Sequence, residues 1–115
     1  MANPDCLFCR IARGEIPAKV VHQDELIVAF RDIAPQAPTH ILLIPREHLA
    51  DVTDLADVHG PLLVRIMAVA AGLASEEGLG RGFRLVTNTG PDAGQSVAHL
   101  HWHLLGGRPM RWPPG

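Results

Sequence analysis

The spacing of apolar positions changes several times along the chain, and each change predicts an element. Residues 7–13 read as a short helix that stops at Gly14, with Pro17 soon after. "KVVHQ" and "LIVAFRDI" read as two strands around a turn at Asp24-Glu25. "HILLIP" is a third, an almost uninterrupted apolar run ended by Pro45. Asp54 is expected to cap a helix that is secure after Pro61, where Leu62, Ile66, Val69, Ala70 and Leu73 fall on one stripe. Gly78 and Gly80 end it. "GFRLVTN" is a further strand, "TGPDAGQS" a glycine-rich loop, and "AHLHWHLLGG" a last strand stopped by Gly106-Gly107. The prolines of the tail "RPMRWPPG" prevent it from continuing helix or sheet. Strands joined by short turns favour antiparallel pairing, so the expected class is α+β, in a single domain over residues 1–115.

The last strand carries the chemistry. Three of the seven histidines, His99, His101 and His103, recur there at two-residue spacing. On a strand, i, i+2 and i+4 share one face, so all three imidazoles point to one side while Leu100, Trp102 and Leu104 cover the other. Neighbouring histidines then stand about 6–7 Å apart, from a rise of ~3.3 Å per residue. That spacing lets two of them chelate one metal, or lets one attack a substrate while its neighbour binds it. Three half-buried imidazoles are costly without partners, which argues against a purely structural row.

Composition narrows the class without naming it. Apolar residues make up 47%, charged residues 19%, and the formal net charge is -2. The basic residues are scattered, so there is no electrostatic footprint for nucleic acid. No apolar run is expected to reach transmembrane length, and "MANPDCLFCR" lacks a basic-then-apolar signal pattern. These readings point to a soluble cytoplasmic protein with neither a nucleic-acid nor a membrane partner.

Directly before the histidines, Gly90 and Gly94 permit backbone conformations in which successive N–H groups converge on one anion. Gln95 and Ser96 add side-chain donors at the lip. Such a loop beside an imidazole makes a workable phosphoryl- or nucleotidyl-transfer site.

The run from His99 to Leu105 matches His-φ-His-φ-His-φ-φ, φ being hydrophobic, at every position. By that signature the chain resembles the histidine triad family. "EIPAKVV", "RDIAPQAPTHILLIP", "GQSV" and the terminal "GGRPMRWPPG" resemble its Hint branch, the nucleoside phosphoramidate hydrolases, over nearly the whole length. The resemblance implies a sheet of about five antiparallel strands with one long helix and a short N-terminal helix. It also implies a homodimer in which the tail, 106–115, reaches toward the partner's active site.

The resemblance further implies residue roles. His101 would be the nucleophile, attacking the α-phosphorus of a purine nucleotide (an AMP or GMP derivative), expelling an amine and forming a nucleotidyl-histidine that water hydrolyses. Ser96 would pass a proton to the leaving nitrogen. His103 would donate to a phosphate oxygen, and the backbone around Gly94 and Gln95 would hold the rest. His40 would support the triad's hydrogen bonding, and Asn88 would make a phosphate- or ribose-side contact. Asp32 would accept both ribose hydroxyls, with Leu7, Phe8, Ile11, Ile16, Phe30 and Ile33 forming an apolar slot for the base. Trp112 would complete the partner's site. Arg31 and Arg111 stand where relatives often carry histidine.

Cys6 and Cys9 form a C-x2-C. A disulfide is disfavoured for so close a pair in a cytosolic chain, and a redox pair should follow a strand. Zinc needs two more ligands. The bacterial triad proteins that this chain resembles use the C-x2-C, the histidine of a Pro-x-x-His segment and the first triad histidine. Here those are Cys6, Cys9, His48 and His99, implying a structural Zn2+. Two other functions stay open on sequence alone: a dinucleoside polyphosphate hydrolase, and a nucleotide-binding interaction or regulatory module.

Overall fold

The computed structural model describes residues 5–115. In chain order these form α1 (Leu7–Ala12), β1 (Val20–Gln23), β2 (Ile27–Arg31), β3 (Thr39–Pro45), α2 (Gly60–Glu76), β4 (Phe83–Val86) and β5 (Trp102–Gly106). Short 3-10 turns occupy Val52–Asp54, Asp57–His59 and Pro91–Ala93. The sheet is antiparallel throughout and ordered β1-β2-β3-β5-β4. One sheet, one long helix and a short N-terminal helix make the class α+β.

Why β3 reads as an unbroken apolar run is now clear: both faces of the sheet are covered. Ile41 and Leu43 join Ile27, Ala29 and Leu104 beneath α2, whose Leu62, Ile66, Val69, Ala70 and Leu73 form the predicted stripe. Leu42 and Ile44 face the other way, with Val28 and Phe30, and are roofed by Phe8 and Ala12 of α1. Two of the histidines within the strands, His40 and His103, belong to this second face. His103 pairs with Leu42, and His40 lies two residues before Leu42 on β3, so the two-residue strand period sets the rings on one side.

Asp24 ties the first hairpin to α2. Its carboxylate accepts from Leu26 N, Ile27 N, His22 Nε2 and Arg65 Nε of α2 at 2.8–3.0 Å. Burial works to raise that carboxyl, yet these donors hold it well below the usual carboxylate range. At the far end of the sheet, Gly106 is required by contact. A Cβ there would lie 2.6 Å from the Leu79 side chain, which closes the core after α2.

Three expectations are corrected. The histidine strand begins at Trp102, because the chain at 99–101 bends away to meet Leu49 and the cysteine site. The helix starts at Gly60 with Pro61 in its first turn, while Asp54 sits in a separate 3-10 turn whose cap is Asp51. One segment, Asp57–Glu76, is long and apolar enough by length and composition to cross a membrane. Its alanines raise its hydropathy, and its apolar stripe packs on the sheet as in a core helix.

Ile66 is fully buried at the centre of the helix–sheet contact. Ile66→Ala should therefore lower unfolding free energy by about 2–5 kcal/mol in denaturant titration.

Candidate active site

Four imidazoles lie beside one another on the α1 face, and the partners of each ring fix where its proton sits. A backbone carbonyl only accepts, so a ring nitrogen facing one must carry hydrogen. His101 Nδ1 lies 2.7 Å from the His99 carbonyl, so Nδ1–H donates and, in the neutral ring, Nε2 keeps its lone pair. His99 Nε2 lies 2.9 Å from the Pro45 carbonyl, so that ring keeps its lone pair on Nδ1. His40 Nδ1 accepts from the Gln36 N–H at 3.0 Å, placing the proton on Nε2. From there it is donated to His103 Nδ1 at 2.8 Å. His103 in turn carries its proton on Nε2. The row thus presents one bare nitrogen, on His101, and one N–H donor, on His103, with the two rings 5.0 Å apart.

Burial keeps the supporting rings neutral. It pushes His103 down to about 4, helped by the neighbouring His101 and His40 and opposed by Asp32. Burial also lowers His40, again against the pull of Asp32, whose Oδ2 lies 3.4 Å from His40 Nε2. His101 is buried, with Phe8 meeting its ring edge-on at 5.2 Å. Its backbone carbonyl accepts from the Thr87 hydroxyl at 2.8 Å.

A cavity of about 650 Å3 opens beside this row, within the range that holds small-molecule ligands. Ile11, Phe30, Asp32, Ile33, Pro38 and His40 contribute to its wall. Asp32 Oδ1 accepts from Ala34 N at 2.8 Å, which aims the carboxylate. Of the residues expected around a base, Ile11, Phe30 and Ile33 are brought together here. Phe8 instead turns inward against Phe30, His99 and His101. Ile16 lines a neighbouring recess, and Leu7 is largely exposed. Arg31 also borders the cavity, and its guanidinium is held by both oxygens of Glu77 at 2.8 and 3.0 Å.

The glycine-rich loop departs from an open cradle. Gly90 and Gly94 do take positive φ, 85° and 86°. However, Gly94 N donates to Pro91 O and Gln95 N donates to Gly90 O. The Gln95 side chain accepts from Gly90 N and donates to Ala50 O and Val97 O. Those amides and that side chain brace the loop rather than face an anion. Ser96 is exposed beyond the brace, and Asn88 is half-buried just past the end of β4. Trp112 is 82% exposed, outside the cavity wall.

On the other side of His101, Cys6, Cys9, His48 and His99 converge. His99 Nδ1 lies 3.2 Å from Cys6 Sγ, 3.5 Å from Cys9 Sγ and 3.2 Å from His48 Nδ1, and Cys9 Sγ lies 3.3 Å from His48 Nδ1. A tetrahedral zinc with bonds of about 2.0–2.3 Å separates its ligand atoms by roughly 3.3–3.8 Å. Burial raises the Cys6 thiol, and a cation reverses that preference by binding thiolate. The donor set fits zinc. Asp32, His40 and His103 also cluster, but the Gln36 N–H on His40 Nδ1 leaves His40 Nε2 protonated. That nitrogen donates and cannot ligate. Gln36, Pro45, Leu49 and Thr87 escape sequence reading because three of them act through backbone atoms. Thr87 has only a hydroxyl at a strand end as its signal.

A family profile described as the HIT domain matches residues 13–110. The purine nucleoside phosphoramidase of Escherichia coli K12 is 50% identical over 107 residues, 92% of this chain and 90% of that protein. A 14 kDa zinc-binding protein of Brassica juncea is 49% identical over 96% of this chain and 100% of its own length. The crystal structure of a HIT family hydrolase from Legionella pneumophila superposes with a TM-score of 0.95 at 56% identity, covering 96% of this chain and all of that one.

The depressed His103 gives a signed pH dependence. An unfolded histidine takes up a proton near 6.5, whereas the folded ring resists until about 4. Stability should therefore fall as pH drops from about 6.5 toward 4 and be unaffected by this ring above 6.5. Denaturant midpoints measured across that interval should show a shallower slope in His103→Gln, by up to one proton.

Proposed function

The chain belongs to the HIT domain family and is a hydrolase of that family; on that premise we propose that it cleaves the P–N bond of purine nucleoside 5′-phosphoramidates. The observation that carries this reading is the bare Nε2 of His101, fixed by the 2.7 Å hydrogen bond from its Nδ1 to the His99 carbonyl. In this reading Nε2 attacks the α-phosphorus and the phosphorus–amine bond breaks. The departing nitrogen takes a proton through Ser96. Water then hydrolyses the nucleotidyl-histidine to a nucleoside monophosphate and regenerates the ring.

The remaining residues follow from their positions. The nucleoside lies in the 650 Å3 cavity, with its ribose hydroxyls on Asp32 and its base against Ile11, Phe30 and Ile33. The His103 Nε2–H donates to a phosphoryl oxygen as charge grows there. The Gln36–His40–His103 relay keeps that proton facing the site. Asn88, Gly94 and Gln95 border the phosphate side, the last two by shaping the loop that presents Ser96.

We further assign one structural Zn2+ to Cys6, Cys9, His48 and His99. Four protein ligands leave no position for water or substrate. A second copy is proposed to cover the outer edge of β4 and the outward face of α2. There, among the described residues, no strand pairs with the outer side of β4, and Phe83, Val64 and Met67 stand exposed. The 106–115 tail, with Trp112, would then reach toward the partner's cavity.

Adenosine and guanosine phosphoramidates should turn over faster than diadenosine polyphosphates. Rapid quench should trap a covalent nucleotide in the wild type and none in His101→Ala, which should still bind AMP. His103→Ala should raise the barrier by about 2–4 kcal/mol, as loss of one transition-state donor. An adduct mapping to another residue would overturn the assignment.

Protein purified without chelator should contain near-equal zinc and chain by metal analysis, and chelation should lower its melting temperature.

A further inference from the structure

We propose that Cys6 and Cys9 form a modification site for hydroperoxides: oxidation joins them in a disulfide and releases the metal they hold. The proposal rests on the assignment of Zn2+ to Cys6, Cys9, His48 and His99. It goes beyond that assignment, because it gives a structural site a reversible chemistry of its own, apart from phosphoryl transfer.

The resting pair is reduced, and its geometry suits closure. Cys6 caps α1 from extended backbone, φ -85° and ψ 122°, and its sulfur accepts the Cys9 N–H at 3.3 Å. Both sulfurs face one atom, His99 Nδ1, at 3.2 Å from Cys6 and 3.5 Å from Cys9. The two thiols also hydrogen-bond to each other. Forming a sulfur–sulfur bond of about 2.0 Å therefore moves two side chains within a single helical turn. Phe8 and Ala12 seat α1 on Val28, Phe30, Leu42 and Ile44 independently of either sulfur. The cysteines also divide the roles. Cys6 is half-buried where Cys9 is buried, so an oxidant meets Cys6 first and Cys9 stands behind it as the resolving thiol, the arrangement of redox-sensing pairs. The Cys9 N–H and a bound cation both favour the Cys6 thiolate, the form that attacks. With two cysteines in the whole chain, the internal disulfide is a unique product. Where cellular reductants keep thiols reduced, such a bond is transient and serves sensing.

The chemistry balances with the hydroperoxide as the oxidant. The Cys6 sulfur attacks its terminal oxygen: a sulfur–oxygen bond forms, the oxygen–oxygen bond breaks, and an alcohol leaves (water, from hydrogen peroxide). The Cys9 sulfur then attacks the Cys6 sulfur, the sulfur–sulfur bond forms, and the oxygen departs as water. Two thiolates pass two electrons to the peroxide, and the departing oxygens take up the protons. A disulfide carries no charge to match the two on zinc, so the buried dication, left with His48 and His99 alone, is uncompensated. The two imidazoles then have each other. His99 keeps its proton on Nε2 for the Pro45 carbonyl, and its Nδ1 lies 3.2 Å from His48 Nδ1. With its proton on Nδ1, His48 donates to His99, so neither of these nitrogens is orphaned when the metal leaves. Release is thus compatible with a folded chain. A dithiol reductant, itself oxidised to a disulfide, reverses it.

The test treats zinc-loaded, reduced protein with hydrogen peroxide. It follows zinc release with a chelating dye, together with thiol content, intact mass and circular dichroism. The expected result is loss of about one zinc per chain, in step with the loss of both thiols and of two hydrogens from the mass. The chain should stay folded and melt at a lower temperature. Dithiothreitol and zinc should restore the starting state. Brief peroxide with dimedone present, followed by peptide mapping, should place the trapped sulfenic acid on Cys6. Protein that keeps its metal and thiols under excess peroxide overturns the proposal. So does zinc release that leaves a sulfinic acid, or a disulfide between chains, in place of the internal bond. Trapping on Cys9 overturns the division of roles. Zinc measured before the peroxide separates the two failures. Reduced protein that lacks zinc defeats the metal assignment on which the proposal rests, whereas loaded protein that forms no internal disulfide defeats the oxidation alone.

Discussion

Burying imidazoles side by side is the constraint on which this structure turns. An unpaired ring nitrogen sealed from solvent is costly, so each nitrogen turned into the fold must be matched to an acceptor, a donor or an ion, and only those that face the site can stay open. The chain meets that demand with main-chain groups. The carbonyls of His99 and Pro45 and the N–H of Gln36 fix the tautomers of three rings. A fourth is fixed in turn by its neighbour. Because these groups come from the backbone, the proton arrangement is a property of the fold.

The same matching explains why two adjacent sites on one sheet face have different chemistry. Toward the N-terminal helix, His99 offers a lone pair to thiols and to His48, a soft donor set suited to zinc. Toward the cavity, His103 offers a hydrogen to an oxygen. His101 stands between them, and its two nitrogens divide the work, one bound to the scaffold and the other bare. Residue type does not separate these roles. The direction in which each ring's second nitrogen is anchored does.

Much of this was legible in the sequence, and the limits are physical. The α2 stripe, the strands on either side of the Asp24 turn and the glycine stops were readable because burial imposes a period on side chains. The alternate spacing of the histidines was readable for the same reason, although His99 and His101 lie outside the strand. The bend that releases them is set by the Leu100–Leu49 and His99–Pro45 contacts, which join segments distant in sequence. The cysteine–histidine cluster was legible only through family resemblance, since His48 has no local pattern linking it to Cys6. The loop brace was not legible: Gln95 has the residue type of an anion donor, but its amide is taken by Gly90, Ala50 and Val97. The inward packing of Phe8 was not legible, because an aromatic on a short helix can face a ligand or a core with the same spacing.

β3 deserves a last consideration as a ruler. It carries His40 near one end and Pro45 at the other, and each contacts a different member of the histidine row. Five steps at ~3.3 Å place those two anchors roughly 16–17 Å apart. An extended strand has no slack with which to absorb an inserted or deleted residue. One such change would also turn His40 to the opposite face while leaving Pro45 where it was. Length variation among descendants of this chain should therefore collect in the 46–59 connection and in the tail. The distance from Thr39 to Pro45 should remain a constant of the lineage even where its side chains drift.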